Sequence, residues 1–174
     1  DGKPGTPLLI GGTLLSKYND GPAAFSPGGD TICFTRNAPG AKRGTAGQLN
    51  LYFATKLGKE WGEPTPFAWN GTDFSTMAPS FSPDGQQLYF NSNRPGGFGG
   101  MDLYVCRKNG AQWSAPENLG PSVNTSANEA YPSTTSDGAL YFSSDRTGGL
   151  GKLDLYACIP EDGDVDVLDS RNDR

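Results

Sequence analysis

Phe81-Ser-Pro-Asp-Gly85 runs into Leu88-Tyr-Phe90, then Ser92-Asn-Arg-Pro-Gly-Gly97, then Met101-Asp-Leu-Tyr104. Further along, Ser136-Asp-Gly138 leads into Leu140-Tyr-Phe142, Ser144-Asp-Arg-Thr-Gly-Gly149 and Leu153-Asp-Leu-Tyr156. A third version precedes both: Phe25-Ser-Pro-Gly-Gly29, Ile32-Cys-Phe34 and Leu49-Asn-Leu-Tyr52. Leu51, Leu103 and Leu155 are 52 residues apart, and so are Trp61 and Trp113. A fixed period of this size means stacked copies of one supersecondary unit.

The middle copy shows what the unit is. Ala78 to Phe81 reads as a short strand, and Pro83-Asp-Gly85 supplies its turn. Gln87 to Ser92 is a second strand, apolar and aromatic in its middle. The Gly-rich stretch 93–100 leads to a third strand, 102–107; Asn109-Gly110 turns the chain, and Trp113 to Leu119 forms a fourth. Four-stranded antiparallel meanders at this period are blades of a β-propeller. A β-sandwich does not explain the fixed spacing.

Composition agrees with an all-β reading. The 25 Gly and 14 Pro fall between apolar runs, which marks tight turns rather than disorder. Apolar residues are only 34%, but Trp, Tyr and Phe number 3, 7 and 9 and supply core volume. A net charge of −5 argues against nucleic acid or an anionic membrane surface as the main partner. No stretch approaches the roughly 18 apolar residues that span a bilayer, so direct membrane insertion is not expected. Cys106 and Cys158 share a repeat position, too far apart for a disulfide, and all three cysteines read as buried thiols.

The boundaries follow from the period. Residues 1–19 are expected to be the outer strand of a preceding or closing blade, since Pro7-Leu-Leu-Ile10 matches Pro116-Glu-Asn-Leu119. Residues 20–70 form blade one and 71–125 blade two; 126–160 form blade three without its outer strand, and 161–174 an acidic tail or linker. The strand count is about three blades' worth, while propellers usually have four to eight. Two arrangements remain open: a segment completed by further blades, or a homodimer closing a six-bladed ring.

These motifs resemble the TolB-type (WD-like) β-propeller repeat. The long form, Arg-x-Gly-Gly followed by Asp-Leu-Tyr, is most similar to propellers of Bacteroidetes envelope proteins fused to OmpA-like domains. The resemblance covers about residues 20–158 and is most specific in copies two and three. It implies a non-enzymatic scaffold for protein or peptidoglycan-associated partners, periplasmic, outer-membrane-associated or secreted. The alternative it leaves is a carbohydrate- or peptide-binding propeller accessory to a hydrolase.

Chemistry is sparse. With no His, His-based triads, most zinc sites and imidazole acid–base work are absent, and no Gly-x-Ser-x-Gly elbow replaces them. No enzymatic activity and no cofactor are expected. Asn93, Arg94, Asp145 and Arg146 lie in loops between second and third strands, and Asn128, Glu129 and Tyr131 in a loop between blades. All should emerge on one propeller face, where guanidinium groups beside exposed backbone could hold a carboxylate or sugar. Their recurrence also fits a purely structural role. Asp102 and Asp154 are expected to cap the Gly loops. The tail places Asp162, Asp164 and Asp166 at alternate positions, as in calcium loops, but Val167 stands where an EF-hand needs Gly, so a solvated acidic stretch competes with a calcium site.

Overall fold

The computed structural model describes residues 5–37, 47–161 and 164–167. Three antiparallel sheets follow one another along the chain. The first contains β1 (Asp20–Phe25), β2 (Thr31–Asn37), β3 (Leu49–Leu57), β4 (Glu60–Trp61) and β5 (Thr65–Pro66). In the second are β6 (Thr76–Phe81), β7 (Gln87–Ser92), β8 (Asp102–Asn109), β9 (Gln112–Trp113) and β10 (Glu117–Asn118). The third is β11 (Glu129–Thr134), β12 (Leu140–Ser144), β13 (Asp154–Glu161) and β14 (Asp164–Val167).

Each sheet is a blade. Innermost strands β1, β6 and β11 lie side by side, and successive strands step outward. In blades one and two the outer strand is made in two pieces, β4 with β5 and β9 with β10, all paired to the third strand. Pro64 and Pro116 fall in the gaps, where their missing N–H costs no ladder bond. Every inner strand carries a register shift at the same place, and among the described residues the two positive-φ residues that are not glycine, Ala78 (52°) and Tyr131 (56°), lie in these bulges. At Ala78 the bulge turns the amide to donate across the blade boundary to Thr35 Oγ1 at 3.0 Å.

The core is built between blades rather than within them, because each sheet must cover both of its faces. Cys33, Leu51 and Phe67 of blade one meet Leu88, Phe90, Tyr104 and Cys106 of blade two. Leu103 and Val123 of blade two meet Leu140, Phe142 and Cys158 of blade three. The repeat leucine shows how the stack runs out. Leu51 and Leu103 are each 0% exposed, while Leu155, at the same position, is 82% exposed on the far face of blade three. All three cysteines are free and buried, as expected.

Two boundaries differ from the sequence reading. Residues 1–19 do not supply an outer strand among the described residues: Gly12–Leu14 form a 3-10 turn, and residues 5–11 join no ladder. A strand there needs the third strand of a preceding blade to pair with, and the described residues contain none. The segment docks on blade one instead, with Thr13 Oγ1 donating to Trp61 O (2.7 Å) and Leu14 buried against Ile32, Phe34 and Ala54.

Blade three does have a fourth strand. Glu161 pairs with Asp164 and Cys158 with Val167, in the register in which Asn109 pairs with Gln112. No counterpart of Trp61 and Trp113 follows β13 in the sequence, yet backbone pairing suffices to build an outer strand. Part of the acidic tail is therefore sheet.

Candidate functional site

The recurring Arg and Asp residues come together as a blade-joining device. Arg146 Cζ lies 5.2 Å from the Phe142 ring centroid and 4.5 Å from that of Tyr156. Its Nη2 donates to Val123 O (2.6 Å), in the loop leaving blade two, and to Glu129 Oε1 (3.1 Å). Glu129 is fully buried and also accepts from Thr125 N, Thr125 Oγ1 and Ser144 Oγ, so its charge is compensated by four donors.

Blade two repeats the arrangement without the acid. Arg94 Cζ stands over Phe90 (5.4 Å) and Tyr104 (4.9 Å), and Nη2 donates to Trp69 O at 3.2 Å. Thr76 occupies the ladder position of Glu129, and Phe74 packs on the guanidinium at 5.0 Å. Thr76 Oγ1 is buried with no hydrogen-bond partner. Burial, the largest influence, holds the Arg94 guanidinium below the ordinary arginine range, while Tyr104 and Cys106 act the other way.

Blade one reaches the same end from a different position. Arg36 comes from strand β2, at the ladder position of Ser92 and Ser144, yet its Cζ stands over Phe34 (4.8 Å) and Tyr52 (5.7 Å). It donates to Leu14 O and pairs with Asp20, the counterpart of Glu129. Copy one, which lacks the Arg-x-Gly-Gly element in sequence, thus restores the guanidinium from within the strand.

Of the remaining residues singled out from sequence, Asn93, Asn128 and Asp145 lie on this end of the blades, whereas Glu129 and Tyr131, expected in a loop between blades, are in strand β11, because its ladder with β12 already begins at Glu129. Asn93 Oδ1 accepts from Ser75 N (2.7 Å), and Asp145 Oδ1 accepts from Asn128 N (2.7 Å), so both tie a loop to the start of the inner strand. The two hydrogen bonds from Asn128 hold the Asp145 carboxyl below the usual range. Tyr131 is 54% exposed. Asp102 accepts from Phe98 N and Gly99 N, and Asp154 from Gly151 N, which caps the Gly loops. Asp164 and Asp166 are in strand β14, and Asp162 lies outside the described residues.

A second site lies at the opposite end of the strands, and sequence reading missed it. Between blades one and two a cleft of about 750 Å³ is lined by Phe53, Phe67, Trp69, Phe81 and Trp113. The rings pack on one another, Phe53 stacking on Trp113 at 6.3 Å and Phe81 lying 6.1 Å from Trp113. Trp69 Nε1 donates to Trp113 O at 3.2 Å, which fixes the most exposed ring of the set, 38% accessible to solvent. Its mouth is formed by the turns carrying Asp30, Asp84 and Gln86, with Lys108 and Gln112 beside them.

The aromatic lining of the cleft is specific to this boundary among the described residues. At the equivalent positions between blades two and three stand Val105, Leu119, Val123 and Thr134. A comparison of copies position by position would have exposed the difference, because packing requirements repeat with the period and this aromatic set does not.

No family model and no curated protein matches the chain. Solved structures do. The chain is 20% identical to a protein assigned as TolB from Agrobacterium tumefaciens, with TM-score 0.60 over 94% of this chain and 52% of that one. TolB from Acinetobacter baumannii is 23% identical, with TM-score 0.56 over 91% and 34%. A puromycin-hydrolyzing peptidase from Mycobacterium tuberculosis is 20% identical, with TM-score 0.56 over 86% and 22%. The fold is that of a TolB-type propeller segment, and the chain spans about half the length or less of the structures it matches.

Proposed function

We propose that the chain is a non-enzymatic propeller scaffold that mediates protein–protein or peptidoglycan-associated contacts in the bacterial cell envelope. One observation carries the reading: Leu155 is 82% exposed where Leu51 and Leu103 are fully buried. A face built to be covered by a blade, left uncovered, selects a protein surface. That surface is either further blades or a second copy completing a six-bladed ring. The likeness in fold to TolB, together with motifs similar to those of OmpA-fused propellers, supports a periplasmic or outer-membrane-associated location. On the loop end, the exposed Asn93, Tyr131 and Asp145 offer the contact surface, while Arg94, Asn128, Glu129 and Arg146 hold it in shape.

A photo-crosslinking residue at position 155 of the full natural product, irradiated in intact cells, tests the reading. Covalent closure onto its own further blades, onto a second copy or onto an envelope protein is expected. No adduct at 155 or 131, with the protein recovered in the cytoplasm, would overturn it. No cofactor is part of the proposal: Asp162, Asp164 and Asp166 are read as a solvated acidic stretch rather than a calcium site, and saturable heat on calorimetric titration with calcium would reverse that reading.

A further inference from the structure

We propose that the cleft between blades one and two is a binding groove for a neutral oligosaccharide, a site independent of the scaffold surfaces above. Its volume of about 750 Å³ is that of a small-ligand site. Phe53, Phe67, Phe81 and Trp113 pack into the core between the two blades, and Trp69 is the ring they leave exposed in the cleft; at the following boundary buried Val123 stands at the position of Trp69.

The polar rim decides the class of ligand. Asp30 spends Oδ1 on Ser26 Oγ, and Asp84 spends Oδ1 on Ser82 Oγ and Gln86 N. Among the described residues, the hydrogen bonds to the Asp84 carboxylate use Oδ1 alone, which leaves Oδ2 as an acceptor facing the cleft, while the Asp30 carboxylate is also engaged by the Thr31 side chain. Lys108 and the amides of Gln86 and Gln112 place donors on the same rim. An anionic ligand meets the two carboxylates of Asp30 and Asp84, and Lys108 offsets one of them against a cationic ligand. A neutral polyol uses both signs, its hydroxyls donating to Asp30 and Asp84 and accepting from Lys108 and the amides. Its apolar C–H face matches the Trp69 ring, which the bond to Trp113 O holds in place without cost on binding.

Intrinsic fluorescence of Trp69 and Trp113, with calorimetry alongside, provides the test. The probes are the tetrasaccharides chitotetraose, cellotetraose and maltotetraose, with tetramethylammonium chloride and sodium acetate as charged controls. At least one tetrasaccharide is expected to bind saturably with Kd of about 1 mM or tighter, and neither charged control to do so. Trp69→Ala is expected to weaken binding about tenfold or more, and Trp69→Phe, which keeps an apolar platform, by about threefold or less. Asp84→Asn, which keeps an acceptor for the Ser82 turn, is expected to weaken it about fivefold. No saturation by any tetrasaccharide up to about 10 mM, binding unchanged in both Trp69 variants, or saturation by a charged control instead would each overturn the assignment. The scaffold reading survives any of these results, since position 155 is remote from the cleft.

Discussion

Arg146→Met isolates what the guanidinium does at a blade boundary. The substitution keeps the apolar stem over Phe142 and Tyr156 but removes the donors to Val123 O and to Glu129. Glu129 is fully buried, so losing its cation leaves an uncompensated charge, a loss of about 3–5 kcal/mol. Arg94→Met is the internal control. Arg94 has the same aromatic stack and the same kinds of acceptor, a carbonyl and a serine hydroxyl, but Thr76 in place of the acid, so only hydrogen bonds to neutral acceptors and cation–π contacts are lost, about 1–2 kcal/mol. Urea unfolding of the two variants should therefore differ by about 2–3 kcal/mol at constant m. Adding Glu129→Thr to Arg146→Met copies the blade-two chemistry and should restore about 2 kcal/mol by removing the stranded charge. Equal losses in the two single variants, or no recovery in the double variant, would refute the reasoning.

Other expectations follow from the same geometry. Leu103→Ala should lower stability by about 2–4 kcal/mol, whereas Leu155→Ala should be within about 0.5 kcal/mol of the parent in the isolated chain, both read by urea titration. Gly99→Ala would drive a Cβ into the carbonyls of Ala127 and, at 2.5 Å, Thr125; because the obstacle is backbone, the variant should lose about 2 kcal/mol or more by thermal melting. The Ser82 hydroxyl first, then the Gln86 amide, holds the Asp84 carboxyl below the usual aspartate range. That stabilisation is complete above the unfolded value and disappears as pH falls through the lower folded one. The gap between parent and Ser82→Ala in melting temperature should thus be flat near neutrality and narrow below about pH 3.8; a gap unchanged at the acid limit counts against it. Burial pushes the Cys106 thiol up to about 12 and the Cys33 thiol well above its ordinary value, so a thiol reagent at about pH 8 should label neither until the chain unfolds.

The blade was legible in the chain because its signals are local. Ser-Pro-Asp-Gly makes a turn, Leu-Tyr-Phe a strand, and Asp102 finds the amides of Phe98 and Gly99 within a few residues. The bridging role of Arg146 was open to the same reading only as one of two choices, since its acceptor Val123 is 23 residues away. Arg36 was not legible at all: nothing in its position on a strand announces that it replaces a loop arginine of the other copies.

By itself, then, the sequence determined the period, the four-stranded unit and the number of units, because these follow from turn chemistry and strand alternation repeated at fixed spacing. Only the tertiary structure decided that residues 12–14 turn instead of pairing, that β14 completes blade three, and that five aromatic side chains converge on a cleft. Each of these depends on which edge or face is presented by a neighbouring blade some fifty residues away. Local propensity carries no record of that neighbour, and only the stacked blades supply it.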